Sequence, residues 1–264
     1  LISMKVVAVG YSCMDVYDNL DKSYPTGNGV DFAINIKKRG IPAAVVSAVG
    51  NDAYGEQVAE RLQISGIETT HLRVEKGSTA QIHMQLMDND RVHRNSIDGV
   101  MANYYLTEDD FDFIKQHDYI HTDYFGRIYG LLAQFRQAGC KIAFDFSTFL
   151  EDKDFELIIP NVDYALFSYS QRDSWIEDKM KRACDQGVRI VVATFGEFGS
   201  LAYDGKLFYE GKIIKVENIV NTVGAGDSFF AGFMAGVIKG FPVQECLQEG
   251  AKLSAEVIQK FEPY

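Results

Sequence analysis

Apolar residues along this chain follow two different spacings. Short runs that are apolar at nearly every position, and rich in Val and Ile, occupy 4–10, 43–49, 119–122, 142–145, 164–168 and 189–194. Runs of that length, bounded by turn residues, predict strands buried on both faces. Between them apolar residues recur at helical spacing: from Asn28 to Gly40, up to Ile64, over 107–117 and 126–138, through Gln186, and over 229–238 and 243–260. A further strand is predicted at 213–220. Alternation of strand with helix predicts a mostly parallel sheet covered on both faces, an α/β fold.

The stretch 70–98 departs from this rhythm. Ala80-Gln81-Ile82-His83-Met84 has the alternation of a strand, Asp88-Asn89-Asp90 has hairpin chemistry, and Arg91-Val92-His93-Arg94 returns. No helix accompanies the hairpin, so a small sheet projecting from the main body is expected, with 16–20 able to add a strand. Gln81 and Arg91 could reach a substrate from it, although the default for each is a solvated strand face. No repeat, low-complexity tract or long linker interrupts the chain, which reads as one domain, 1–264, with an inserted lid near 11–27 and 70–98.

Composition narrows the partners. The chain has 264 residues, enough for one large core, with 47% hydrophobic content and a formal charge of −11. That charge argues against nucleic acid and against a membrane surface, both of which call for a basic face. It does not argue against a nucleotide, because a local group of amides can override net charge. Cys13, Cys140, Cys184 and Cys246 are scattered and read as reduced thiols. The first residues lack the charged flank and long apolar core of a signal peptide, so a cytoplasmic protein starting at Met4 is expected.

The densest chemistry lies at Asn221-Thr222-Val223-Gly224-Ala225-Gly226-Asp227-Ser228, just before the apolar helix. Gly-Ala-Gly removes side-chain bulk where a helix begins, so unpartnered backbone N–H groups can approach an anion. An aspartate in the same turn lies within reach of whatever those amides hold. This pairing suits phosphoryl transfer, although glycines for tight packing and a dipole-complementing Asp227 would read the same. Asp15, just beyond the first strand, sits where open α/β sheets bind ligands. Thr26-Gly27-Asn28-Gly29-Val30-Asp31 opens the first helix, as a ligand loop or an ordinary capped turn. Thr194-Phe195-Gly196-Glu197-Phe198-Gly199 closes another strand, equally as a ligand loop or a hairpin turn. Asp52 reads as a helix N-cap.

The run 221–227 resembles the second signature of the ribokinase-like (PfkB) sugar kinases, Asp/Asn-Thr-x-Gly-Ala-Gly-Asp. Residues 26–31 resemble their first, Gly-Gly-Asn-x-x-Asn, with Thr26 for the first Gly and Asp31 for the second Asn. An ionised Asp31 only accepts hydrogen bonds, which would tune the pocket toward a positively charged substrate. The resemblance implies a three-layer α/β/α fold with a small β-sheet lid that often serves as a homodimer surface. It implies Asp227 as the base, the amides of Gly224, Ala225 and Gly226 as the phosphoryl cradle, and ATP with Mg²⁺. Thr194, Gly196, Gly199, Thr222 and Ser168 would line the ATP side, and Asp15, Gly27, Asn28, Asp31, Gln81 and Arg91 the sugar side. Ala251, Lys252 and Ala255 would neighbour adenine. Asp88-Asn89-Asp90-Arg91-Val92 and Ala143-Phe144-Asp145-Phe146-Ser147 are similar to members that phosphorylate a fructosyl-amino acid. Ribose, ketohexose or nucleoside acceptors stay open, as does a non-catalytic sugar-binding role. Where many members carry Asn-x-x-Glu near the metal, this chain has Ser168-Tyr169-Ser170-Gln171, so metal ligands are undetermined, with Asp145 or Asp173 as substitutes. A monovalent cation is also compatible with the resemblance.

Overall fold

The computed structural model describes residues 4–87 and 90–264, without the side chains of Asp90 and Arg91. In chain order the strands are β1 (Val6–Val9), β2 (Cys13–Tyr17), β3 (Lys22–Thr26), β4 (Ala43–Gly50), β5 (Glu68–Glu75), β6 (Ala80–Met87), β7 (Asp90–Ile97), β8 (Tyr119–Asp123), β9 (Lys141–Asp145), β10 (Tyr164–Ser168), β11 (Ile190–Thr194), β12 (Ser200–Tyr203) and β13 (Phe208–Gly211). The helices are α1 (Asn28–Lys38), α2 (Ala53–Ile64), α3 (Glu108–Ile114), α4 (Leu132–Gln137), α5 (Phe155–Ile158), α6 (Ser174–Asp185), α7 (Ala225–Ile238) and α8 (Val243–Val257).

Nine strands form one sheet in the order β13-β12-β11-β10-β9-β8-β1-β4-β5, parallel from β5 to β11 and antiparallel beyond. Successive side chains on a strand point to opposite faces, which divides the core in two. Val6, Ala8, Tyr119 and Leu166 face the helices α1, α7 and α8, whereas Val7, Val9, Ile120 and Phe167 face α3, α4 and α6. Burial on both faces is why the strands are apolar at almost every position. A second sheet of four strands, β3-β2-β6-β7, stands beside it.

The sequence reading needs four corrections. Residues 213–220 form no strand: Ile213, Ile214, Ile219 and Val220 are 41–57% exposed, and the Val220 and Asn221 amides donate to the Ile258 carbonyl at the end of α8. β-branched residues favour a strand only where a neighbouring strand is present to pair. The helix expected over 126–138 shortens to α4, preceded by two 3₁₀ turns, and Arg127 takes φ 56°. The first part of 70–98 belongs to the large sheet, since β5 pairs with β4, and the small sheet begins at Ala80. The pattern does not predict β12 and β13, because a short edge hairpin carries little apolar periodicity. Asn89 of the expected hairpin turn lies outside the described residues.

Candidate active site

Parallel strands bring their carboxyl ends to one edge of the sheet, and there β8 ends in Asp123 and β9 in Asp145. Two helix N-termini face that edge. α1 contributes Asn28 and Asp31, and α7 contributes Asp227. β2 of the small sheet supplies Asp15, which is buried. Asp31, Asp123 and Asp145 are also buried, and Asp227 is half-buried.

These carboxyls act on one another. Burial holds Asp227 well above the usual carboxylate range, and the charges of Asp145 and Asp123 push it further. Burial likewise raises Asp31, with the charges of Asp227 and Asp15 adding to it, against a hydrogen bond from Thr26 Oγ1 at 2.7 Å. Asp123 rises to about 6 through burial, partly offset by hydrogen bonds from the Gly126 amide and the Asn28 side chain. Asp145 rises to about 7 through burial and the Asp123 charge, despite the Ser147 amide 2.7 Å from its Oδ1. Among the described residues, the neighbours that most shift these four groups include no lysine or arginine. Among the described residues, Oδ1 of Asp31 and Oδ1 of Asp227 are buried without a hydrogen-bond partner. Unpaired carboxylate oxygens of this kind fit a cationic or proton-donating ligand.

Glycine shapes the turn before α7. Gly224 has φ 74°, and a Cβ there would lie 2.5 Å from Cβ of Pro263. The Gly226 position opens to free space, with nothing within 4 Å of a Cβ. Ala225 departs from the expected cradle, since its N–H donates to the Thr222 carbonyl at 3.2 Å. Among the described residues the Gly224 and Gly226 amides have no partner, so these two remain for an anion. Gly27 caps α1 at φ 124°, and a Cβ there would sit 2.0 Å from the Tyr11 carbonyl oxygen.

The other expected residues divide. Thr194 ends β11 and Ser168 ends β10, paired in register at the same sheet edge. Gly196 and Gly199 form the tight turn into antiparallel β12, with φ 57° and 90°. Thr222 is exposed just before the turn. Lys252 and Ala255 line a cleft of about 430 Å³ against Ile214, Val216 and Asn218. Gln81 pairs in register with Met14, on the face of the small sheet away from Asp15, and its amide is taken up by His83 and the Thr79 carbonyl. It is therefore not gathered with the carboxylates. The Arg91 side chain lies outside the described residues. Asp173 caps α6 through the Ile176 amide and takes a hydrogen bond from Tyr169, so of the two metal candidates only Asp145 stands with the cluster. Asp52 caps α2, as expected. Asp123 was missed. Its signal is a carboxylate at the end of a buried parallel strand, one residue beyond the expected strand 119–122.

The chain matches the model of the pfkB family carbohydrate kinases over residues 3–264. It is 35% identical over 257 residues to fructoselysine 6-kinase of Escherichia coli (strain K12), covering 97% of this chain and 98% of that protein. It is 30% identical over 258 residues to a fructosamine kinase of Bacillus subtilis (strain 168), covering 96% and 90%. Arabidopsis thaliana ribokinase complexed with ribose and ATP shares the fold at a TM-score of 0.82 and 19% identity, covering 99% of this chain and 94% of that one. The three-layer α/β/α body with its small second sheet is thus ribokinase-like. The chain belongs to the pfkB family of carbohydrate kinases, phosphotransferases that act on an alcohol group.

Proposed function

We propose that this protein transfers the γ-phosphoryl group of ATP to a primary hydroxyl, the 6-OH of a fructosamine such as fructoselysine. One observation carries the reading: an unpartnered carboxylate oxygen of Asp227 beside the partnerless amides of Gly224 and Gly226 at the start of α7. A carboxyl raised by burial and like charges is a competent base for a hydroxyl proton, and the helix N-terminus stabilises charge on the moving phosphoryl. Asp15, Gly27, Asn28 and Asp31 border the sugar, with Asp123 as a further acceptor. Asn28 already donates to Asp123, so substrate hydroxyls exchange with an existing bond.

The oxygen-rich donor set suits Mg²⁺, a hard cation that keeps waters and takes one or two carboxylates plus phosphate. Asp145 would hold it, and when bound the ion neutralises charge on the ATP phosphates. The cleft at Lys252 and Ala255 is the adenine side of the same reading. The fructosamine acceptor is supported by likeness to the two relatives.

The test is ADP release, coupled to NADH oxidation, over a panel of ribose, fructose, adenosine, fructoselysine and other fructosyl-amino acids. Turnover confined to fructosyl-amines with 6-phosphorylated product is expected. Turnover on ribose or a nucleoside alone would reassign the acceptor, and sugar binding without ADP release would remove the kinase reading.

A further inference from the structure

Asn221 lies at the centre of a buried polar knot. Its Nδ2 donates toward Tyr17 Oη at 3.1 Å, Tyr24 Oη at 3.2 Å and the Phe261 carbonyl at 2.9 Å. Its Oδ1 accepts from the Val223 amide at 3.0 Å, and the two tyrosine hydroxyls are 2.8 Å apart. Two amide hydrogens are thus shared among three oxygens, and both tyrosines are fully buried. The partners come from different parts of the fold. Tyr17 is on β2 and Tyr24 on β3, both in the small sheet. Phe261 follows α8, and its ring packs on both tyrosines at 5.1 and 5.3 Å between centroids. Val223 immediately precedes the turn that carries Asp227. From the same tail Pro263 presses on Gly224, and its carbonyl accepts from Asn35 of α1 at 3.1 Å.

Building on the kinase reading, we propose that Asn221 is a positioning residue. It ties the small sheet to the turn before α7, so that Asp227 and the Gly224 and Gly226 amides are aligned only while Tyr17 and Tyr24 are docked. The physical reason is leverage. A buried amide that loses its acceptors must move or find water, and the next residues along the chain are the turn itself. Displacing a reacting group by about 1 Å is enough to cost about 10²-fold in rate.

Three variants test this. Tyr17→Phe/Tyr24→Phe removes both hydroxyls but keeps the rings, and Asn221→Ala removes the tie. The double variant is expected to lose about tenfold in kcat and Asn221→Ala about 10²-fold, with both KM values held within about threefold. Combining all three substitutions should be no worse than Asn221→Ala, because residues acting through one tie are not additive. Asn221→Asp can accept from Val223 N–H and both tyrosine O–H groups, and should recover most of the lost rate. A merely structural role would lower melting temperatures and let the losses multiply; either that multiplication or an Asn221→Ala enzyme of normal kcat overturns the proposal. Hydrogen exchange over 221–227 supplies a readout free of any assigned acceptor. Faster exchange in Tyr17→Phe/Tyr24→Phe is expected, and unchanged exchange rejects the tie even if the kinase reading itself should fail on the sugar panel.

Discussion

Asp123 and Asp145 stand opposite each other on adjacent parallel strands, each the last residue of its strand and in register across the β8–β9 ladder. Side by side and buried, they rise to about 6 and about 7. Both groups bind protons more readily folded than unfolded between about pH 4 and 7. The folded state therefore holds more protons in that window, and stability falls as pH rises through it. Melting without ligand should decline from about pH 4 to about pH 7, by up to about 1.4 kcal/mol per pH unit for one titrating group. Asp145→Asn should flatten the decline. A melting temperature that climbs steadily from pH 5 to 8 would contradict the raised values.

Asp227→Asn separates catalysis from folding. On the proposed role it removes the base from a crowded acidic cluster, so kcat should drop about 10²–10⁴-fold. ATP binding, followed by calorimetry, should persist, and the melting temperature should rise. An enzyme retaining most of its kcat would show that another group takes the proton.

The two glycines of the turn should part company. Gly224→Ala meets Pro263 and forces alanine into φ 74°, with an expected loss of about 2–4 kcal/mol in denaturant unfolding. Gly226→Ala faces open space, and alanine is the better helix former by up to about 1 kcal/mol. Its stability should hold or improve while turnover falls about 10²-fold, because the methyl stands where the phosphoryl approaches. Full activity in Gly226→Ala would mean that this amide does not face the phosphate.

Asp31→Asn exchanges an acceptor-only carboxylate for a group that also donates. Relief of repulsion from Asp227 and Asp15 should raise the melting temperature. The kcat/KM for a protonated fructosyl-amine should fall about tenfold or more relative to fructose, the size of one hydrogen bond to a charged group. Equal effects on both acceptors would deny Asp31 any part in reading positive charge.

The glycine turn before α7 was legible because its backbone demands are local. Gly224, Gly226 and Asp227 sit within one turn, and a turn is specified by adjacent residues. Gly27 likewise opens α1 at φ 124°, a conformation that points to glycine from the local turn alone. What escaped was nonlocal. Asp123 joined the cluster through sheet register, opposite Asp145 on the neighbouring strand.

The sequence alone determined the alternation of buried strands and helices, since residues packed on both faces must be apolar throughout, and it determined the glycine turn before α7. Only the tertiary structure decided that 213–220 would join no sheet and that 214–218 would line a cleft, that Gln81 would face away from Asp15, and that Asn221 would meet Tyr17, Tyr24 and Phe261. Those outcomes depend on which segments become neighbours in space, and spacing along the chain carries no record of that.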